Sequence, residues 1–136
     1  MNVMGPIRNV DRLKPNAFVL DEKLRWLNEL EGNVKNDLEE RYEDYESVNP
    51  EWYAADAFGE EGYTQEQALL SEPPELLVPF PYDAIYSTWI EAKIDLANGE
   101  TGKYNNTMAV FQGQYADFMN RCNRTMVHRR GRVRYI

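Results

Sequence analysis

Residues 79–125 read PFPYDAIYSTWIEAKIDLANGETGKYNNTMAVFQGQYADFMNRCNRT, and the spacing of their apolar residues decides the fold class. From Tyr82 to Ala97, one stripe holds Ile85, Trp89, Ala92 and Leu96, and a second beside it holds Tyr86, Ile90, Ile94 and Ala97. Polar Ser87, Thr88, Glu91 and Asp95 share the remaining arc. Steps of three and four residues mark a helix, and one apolar over so much of its girth sits centrally. Pro81 suits the first turn and Asp83 the positive end of the helix dipole. Asn98-Gly99 ends this helix, glycine being the usual residue for the left-handed turn that follows one, and Gly102 lets the chain reverse. A further helix from about Tyr104 to Met126 carries Met108, Phe111, Tyr115, Phe118, Met119, Cys122 and Met126 on one narrow stripe. The connection is short, so the two helices are expected to lie antiparallel as an αα-hairpin.

Upstream, Leu20, Leu24, Leu27, Leu30, Val34, Leu38, Tyr42 and Tyr45 set one apolar stripe on a helix of about Leu20 to Tyr45. Asp21 and Glu22 fall in its first turn, and Gly32 on the face away from the stripe. Trp26 lies off the stripe, so it either widens the buried face or meets another subunit. Residues 1–16, with Gly5, Pro6 and Pro15, read as an extended N-terminal arm with Val10 and Leu13 as candidate anchors. Residues 46–78 break the periodicity with Pro50, Gly59, Gly62, Pro73 and Pro74 in an acidic stretch that also holds Trp52, Tyr53, Phe58 and Tyr63. Disordered segments are poor in aromatics, so this is expected to be a loop that folds onto something. Leu76-Leu-Val is too short for a strand, while Val133-Arg-Tyr-Ile alternates and could pair with a neighbour. The expectation is an all-α protein, a small helical bundle of about three main helices around an αα-hairpin core. It forms a single domain over residues 1–136, with a helical body at 17–126, an acidic loop at 46–78 and a basic C-terminal arm at 127–136.

The 136 residues are enough for one domain with a real core, and the net charge of −8 conceals a segregation. From Asp37 to Glu75 there are thirteen acids against one base, Arg41, whereas Arg121 to Ile136 hold six arginines and no acid. That layout suits plain surface charge, or a tail of one copy that docks on an acidic face of another copy or of a neighbour. No run approaches the apolar length of a membrane span, and MNVMGPIRNVD lacks the layout of a signal peptide. A single cysteine excludes an internal disulfide and fits a reducing compartment, so assembly in a cytoplasm is expected.

Catalytic chemistry finds little purchase. His128, the only histidine, sits beside Arg129 and Arg130 without a structured nucleophile, and Cys122 falls on an apolar stripe where a thiol behaves as a small hydrophobe. One histidine and one cysteine do not make a zinc site, and Glu39, Glu40, Glu43, Asp44 and Glu46 lack the pattern of a calcium loop. No cofactor, metal or catalytic residue is expected. Nine tyrosines and three tryptophans point instead to aromatic surface buried inside or against partners. Trp26, Trp52 and Tyr53 are the interface candidates. In the tail, Arg129, Arg130, Arg132 and Arg134 are candidates to pair with carboxylates, with Tyr135 and Ile136 as apolar anchors.

The wording PFPYDAIYSTWIEAKIDLANGETGKYNNTMAVF (79–111) with FMNRCNRT (118–125) resembles the head–tail connector (adaptor) subunits of tailed bacteriophages. The resemblance covers roughly residues 10–45 and 76–126 and implies a structural virion protein. Subunits of that family form a homo-oligomeric ring beneath the portal, by resemblance a dodecamer. They grip the portal with extended termini and present a surface to the next connector or tail protein. They also line a channel through which DNA passes without specific binding. The alternative is a small nucleic-acid-binding protein that uses the arginine tail. Six arginines suit phosphate neutralisation, but the acidic body offers no basic recognition helix.

Overall fold

The computed structural model describes residue 2 and residues 4–14, 16–43 and 75–126. These residues are predominantly helical, in the order α1 (Met4–Leu13), α2 (Leu20–Arg41), α3 (Ala84–Ala97) and α4 (Thr101–Thr125). Asn2 and Glu75 form an isolated antiparallel bridge.

The N-terminal arm is the main correction. Most of it is a helix, because Gly5 and Pro6 fall in the first turn, where helices tolerate them. A proline there lacks an N–H that would have no partner anyway. The Asn2 side chain supplies a cap, its Oδ1 accepting from the Met4 N–H at 3.0 Å and the Gly5 N–H at 3.3 Å. Met4, Ile7 and Val10 then share one face and are buried, whereas Leu13, expected as an anchor, is 63% exposed. Lys14 forms an ion pair with Asp95, which is wholly buried, and the Asn9 amide donates to the Ser87 hydroxyl at 3.2 Å. Three apolar side chains and these bonds make α1 part of the core.

In α2 the stripe of Leu24, Leu27, Leu30, Val34, Leu38 and Tyr42 is buried as its period requires. The helix ends at Arg41, with Tyr42 in extended backbone, four residues short of the expected end; Tyr45 lies outside the described residues. Gly32 sits in mid-helix, and a β-carbon there would meet nothing within 4 Å. Gly32→Ala should therefore raise stability by about 0.5–1 kcal/mol, as removing a helical glycine does without a clash. A shifted denaturation midpoint at unchanged slope would register it.

The helix α3 packs against α1, α2 and α4. It begins at Ala84, after a turn in which the Tyr82 N–H donates to the Pro79 carbonyl at 2.9 Å. Pro81, joined to Phe80 by a cis peptide bond, thus precedes the helix by three residues and does not sit in its first turn. Its expected polar arc is also partly wrong: Thr88 and Asp95 are buried, while Leu96 is half exposed and Ala97 exposed. Thr88 satisfies its hydroxyl on the Ala84 carbonyl at 3.1 Å, and Asp95 accepts from Lys14 and from Thr107.

Between α3 and α4 the Gly99 N–H donates to the Leu96 carbonyl and the Glu100 N–H to the Asp95 carbonyl, at 3.1 and 2.9 Å. That pair of bonds defines a Schellman motif, and Gly99 takes the left-handed φ of 75° that it demands. Gly99→Ala should cost about 1–2 kcal/mol in chemical denaturation, since a β-carbon opposes that φ. Gly102, by contrast, makes no turn and lies inside α4, which starts three residues earlier than its apolar stripe suggested. Asp95 meets Thr107, Trp89 meets Phe111 and Tyr82 meets Phe118, so α3 and α4 run antiparallel. Phe111, Phe118, Met119 and Cys122 are buried on the inner face of α4.

Candidate functional site

Two buried polar knots hold the body together. At the first, Glu31 on α2 is 1% exposed and accepts from the Tyr86 hydroxyl and from the Leu77 N–H at 2.9 Å. The Tyr86 oxygen in turn accepts from the Val78 N–H at 2.9 Å. The stretch Leu76–Val78, read in sequence as the end of the acidic loop, is thereby strapped into the core, with Leu76 and Val78 buried. Burial pushes the Glu31 carboxyl above its ordinary value, against the hydrogen bonds from Tyr86 and Leu77, which act the other way. It also pushes the Tyr86 phenol up, reinforced by the charge of Glu31. At the second knot, Asp95 ties α1, α3 and α4 through Lys14 and Thr107. An ion pair of this kind adds little net stability after its desolvation cost, but it sets where α1 lies.

Among the described residues, an open groove of about 430 Å³ lies between α2 and α4. Its floor is Leu30, Trp89, Phe111 and Tyr115. Its rim is polar and comes from one face of α2: Asn33, Asn36, Asp37 and Glu40. The Phe111 and Tyr115 rings stack with centroids 5.8 Å apart and planes 11° from parallel, and Trp89 tilts against Phe111 at 5.1 Å. Trp89 is positioned from α2, its indole N–H donating to the Trp26 carbonyl at 2.8 Å, and the Lys93 ammonium lies 4.8 Å above its ring. Lys93 also pairs with Glu29 at 3.3 Å. The Tyr115 hydroxyl donates to Asp37, and burial followed by that carboxylate hold the phenol well above its usual value, in the neutral donor form. Farther along, the Tyr42 hydroxyl donates to Asn123, a second side-chain bridge from the end of α2 to α4. The groove therefore offers aromatic surface beneath two carboxylates and two amides, with no cation among its described lining residues.

A second feature is the outer face of α4. Between Asn105 and Asn120 its exposed residues are Asn105, Asn106, Ala109, Val110, Gln112, Gly113, Ala116, Asp117 and Asn120, with one charge among them. A solvated helix face is normally charged, and depletion of charge is a property of interface centres.

Of the interface candidates, Trp26 is half-buried against the core, its ring edge-on to Phe18 at 5.4 Å. Trp52 and Tyr53 lie outside the described residues, as do His128, Arg129, Arg130, Arg132, Arg134, Tyr135 and Ile136. Cys122 is 3% exposed on the inner face of α4, where burial pushes its thiol up. The groove was missed in sequence because its two halves are seventy residues apart. In sequence Glu40 stands only among acids that lack the pattern of a calcium loop, Tyr115 only on the apolar stripe of the last helix, and nothing marks Asn33 or Asn36.

Among the described residues no helix is long and apolar enough to cross a membrane, and no group of three histidines, cysteines or acids could hold a metal ion. Comparison with family models, with curated proteins and with solved structures returns no match.

Proposed function

We propose that this chain is a structural subunit of a tailed-bacteriophage head–tail connector, an adaptor that assembles into a ring beneath the portal. The carrying observation is the nearly uncharged exposed face of the longest helix, on a body whose other surfaces carry the usual ion pairs. Such a face fits packing against a neighbouring copy, and repeated head-to-tail packing closes into a ring. The helical hairpin of α3 and α4, formed by the stretch whose wording resembles connector subunits, supplies the rigid part. The acidic stretch and the arginine tail supply the contacts to neighbouring proteins: the portal on one side and the next connector or tail protein on the other. DNA passes through the ring without being bound.

Native mass spectrometry and negative-stain microscopy of the purified chain, alone and with the portal protein of the same genome, test this reading. Closed rings or a stoichiometric complex are expected. A chain that stays monomeric at high concentration and ignores the portal overturns it. Deleting residues 127–136 should leave thermal unfolding nearly unchanged, because an arm that docks on a neighbour adds little to the fold of an isolated subunit. The same deletion should weaken ring or portal assembly. A truncated chain that assembles fully but no longer retains DNA would favour the nucleic-acid-binding alternative.

A further inference from the structure

We propose that the groove between α2 and α4 is the docking site for residues 127–136 of a second copy of this chain, an inference that rests on the ring reading above.

The first argument is charge complementarity. The rim supplies the carboxylates of Asp37 and Glu40 and the amides of Asn33 and Asn36. Residues 127–136, VHRRGRVRYI, supply four arginines and no acid. Guanidinium groups pair with carboxylates in a fork geometry and lie well on aromatic faces, and the floor presents Phe111, Tyr115 and Trp89. Asp37 already accepts from Tyr115 and Glu40 is engaged as well, and a carboxylate has capacity for further donors. Among the described cations, Lys93 is engaged with Glu29 and Trp89, and the charge of Arg41 is felt at Tyr115. Neither is among the groove's lining residues.

The second argument is apolar register. Val133, Tyr135 and Ile136 follow the arginines in alternation, so an extended segment that turns its arginines to the rim can lay apolar groups on the floor.

The ring reading selects the groove of a second copy. The groove lies beside Tyr115, and α4 continues for ten residues beyond it to Thr125, about 15 Å at the helical rise. Ten further residues span about 33 Å when extended, so length alone admits either groove. One tail–groove contact between neighbours per subunit is the head-to-tail interface that a ring requires.

Two measurements test the pairing. A synthetic peptide of residues 127–136 is titrated into the chain truncated after Met126, in low and in high salt. Saturable binding is expected, weakened at least tenfold when Asn36→Lys and Glu40→Lys are combined, both positions being exposed. Separately, full-length Asn36→Cys and Tyr135→Cys proteins are mixed under mild oxidation. An inter-copy disulfide is expected, and the buried Cys122 should not compete. Peptide binding that changes less than twofold on charge reversal overturns the proposal. So does a disulfide that closes within a single dilute chain carrying both substitutions, since the tail would then occupy its own groove. Rings that form unchanged from the truncated chain, with no peptide binding, overturn the groove and leave the ring reading standing. A full-length chain that passes both tests yet never closes a ring overturns the ring and leaves the groove contact in place.

Discussion

Trp89→Ala should destabilise the protein by about 3–5 kcal/mol, the usual range for truncating a buried aromatic. The side chain is 9% exposed, and its removal withdraws contact from α2 and α4 together. The lost contacts include the Phe111 ring, the bond to the Trp26 carbonyl and the ring beneath Lys93. Trp89→Phe separates the components. It keeps most of the packing and loses the indole donor, at a cost of about 0.5–1.5 kcal/mol for one hydrogen bond. Urea denaturation followed by circular dichroism measures both. A loss under 1 kcal/mol for the alanine variant would contradict the place of Trp89 between the helices. The alanine variant should also bind the tail peptide poorly, because the same ring belongs to the groove floor.

Glu31→Ala should cost about 3–5 kcal/mol, comparable to breaking a buried charged contact. It strands the Leu77 N–H and the Tyr86 hydroxyl in the interior together. Glu31→Gln is the more informative change. Its amide oxygen can accept from only one of the two donors, while its NH₂ faces the other, at a cost of about 1–3 kcal/mol for one buried donor left without a partner. The pH dependence carries a definite sign. The folded-state carboxyl is held above its unfolded value by burial, so its contribution to stability is complete below the unfolded value. That contribution is lost as pH rises through the folded value. The wild type's advantage over Glu31→Gln should therefore be largest in acid and shrink as pH rises from about 4 toward neutrality. Parallel denaturation series on the two proteins across that range provide the check. An advantage that grows with pH would mean that the hydrogen bonds, and not burial, dominate at this carboxyl.

The misreadings share a cause. Gly5, Pro6 and Pro15 suggest an extended arm over residues 1–16, yet the sequence also carries the signal for α1: Asn2 two residues ahead as a cap, a proline in the first turn, and Met4, Ile7 and Val10 at helical steps. Gly102 was assigned a turn that Gly99 already makes. The start of α4 lies three residues before its stripe, because a stripe marks only the buried part of a helix. By contrast α2 and α3 are shorter than expected, because an apolar residue beyond a helix end, such as the buried Tyr42, prolongs the stripe without prolonging the helix.

By itself the sequence determined the helices and their inward faces. Hydrophobic period is a local property, and Leu24 to Tyr42 in α2 or Phe111 to Cys122 in α4 had one geometry in which their apolar residues could leave water together. It also determined the segregation of acid and arginine, which no folding can change. Only the tertiary structure decided the polar interior. Asp95, Glu31 and Lys23 look like surface residues on their own helices, and they are buried because partners arrive from elsewhere in the chain: Lys14 and Thr107, Tyr86 and Leu77, and Asp11. The groove arose in the same way. Carboxylates on α2 and aromatics on α4 line one groove only because both helices pack on α3, a long-range arrangement that no local pattern encodes.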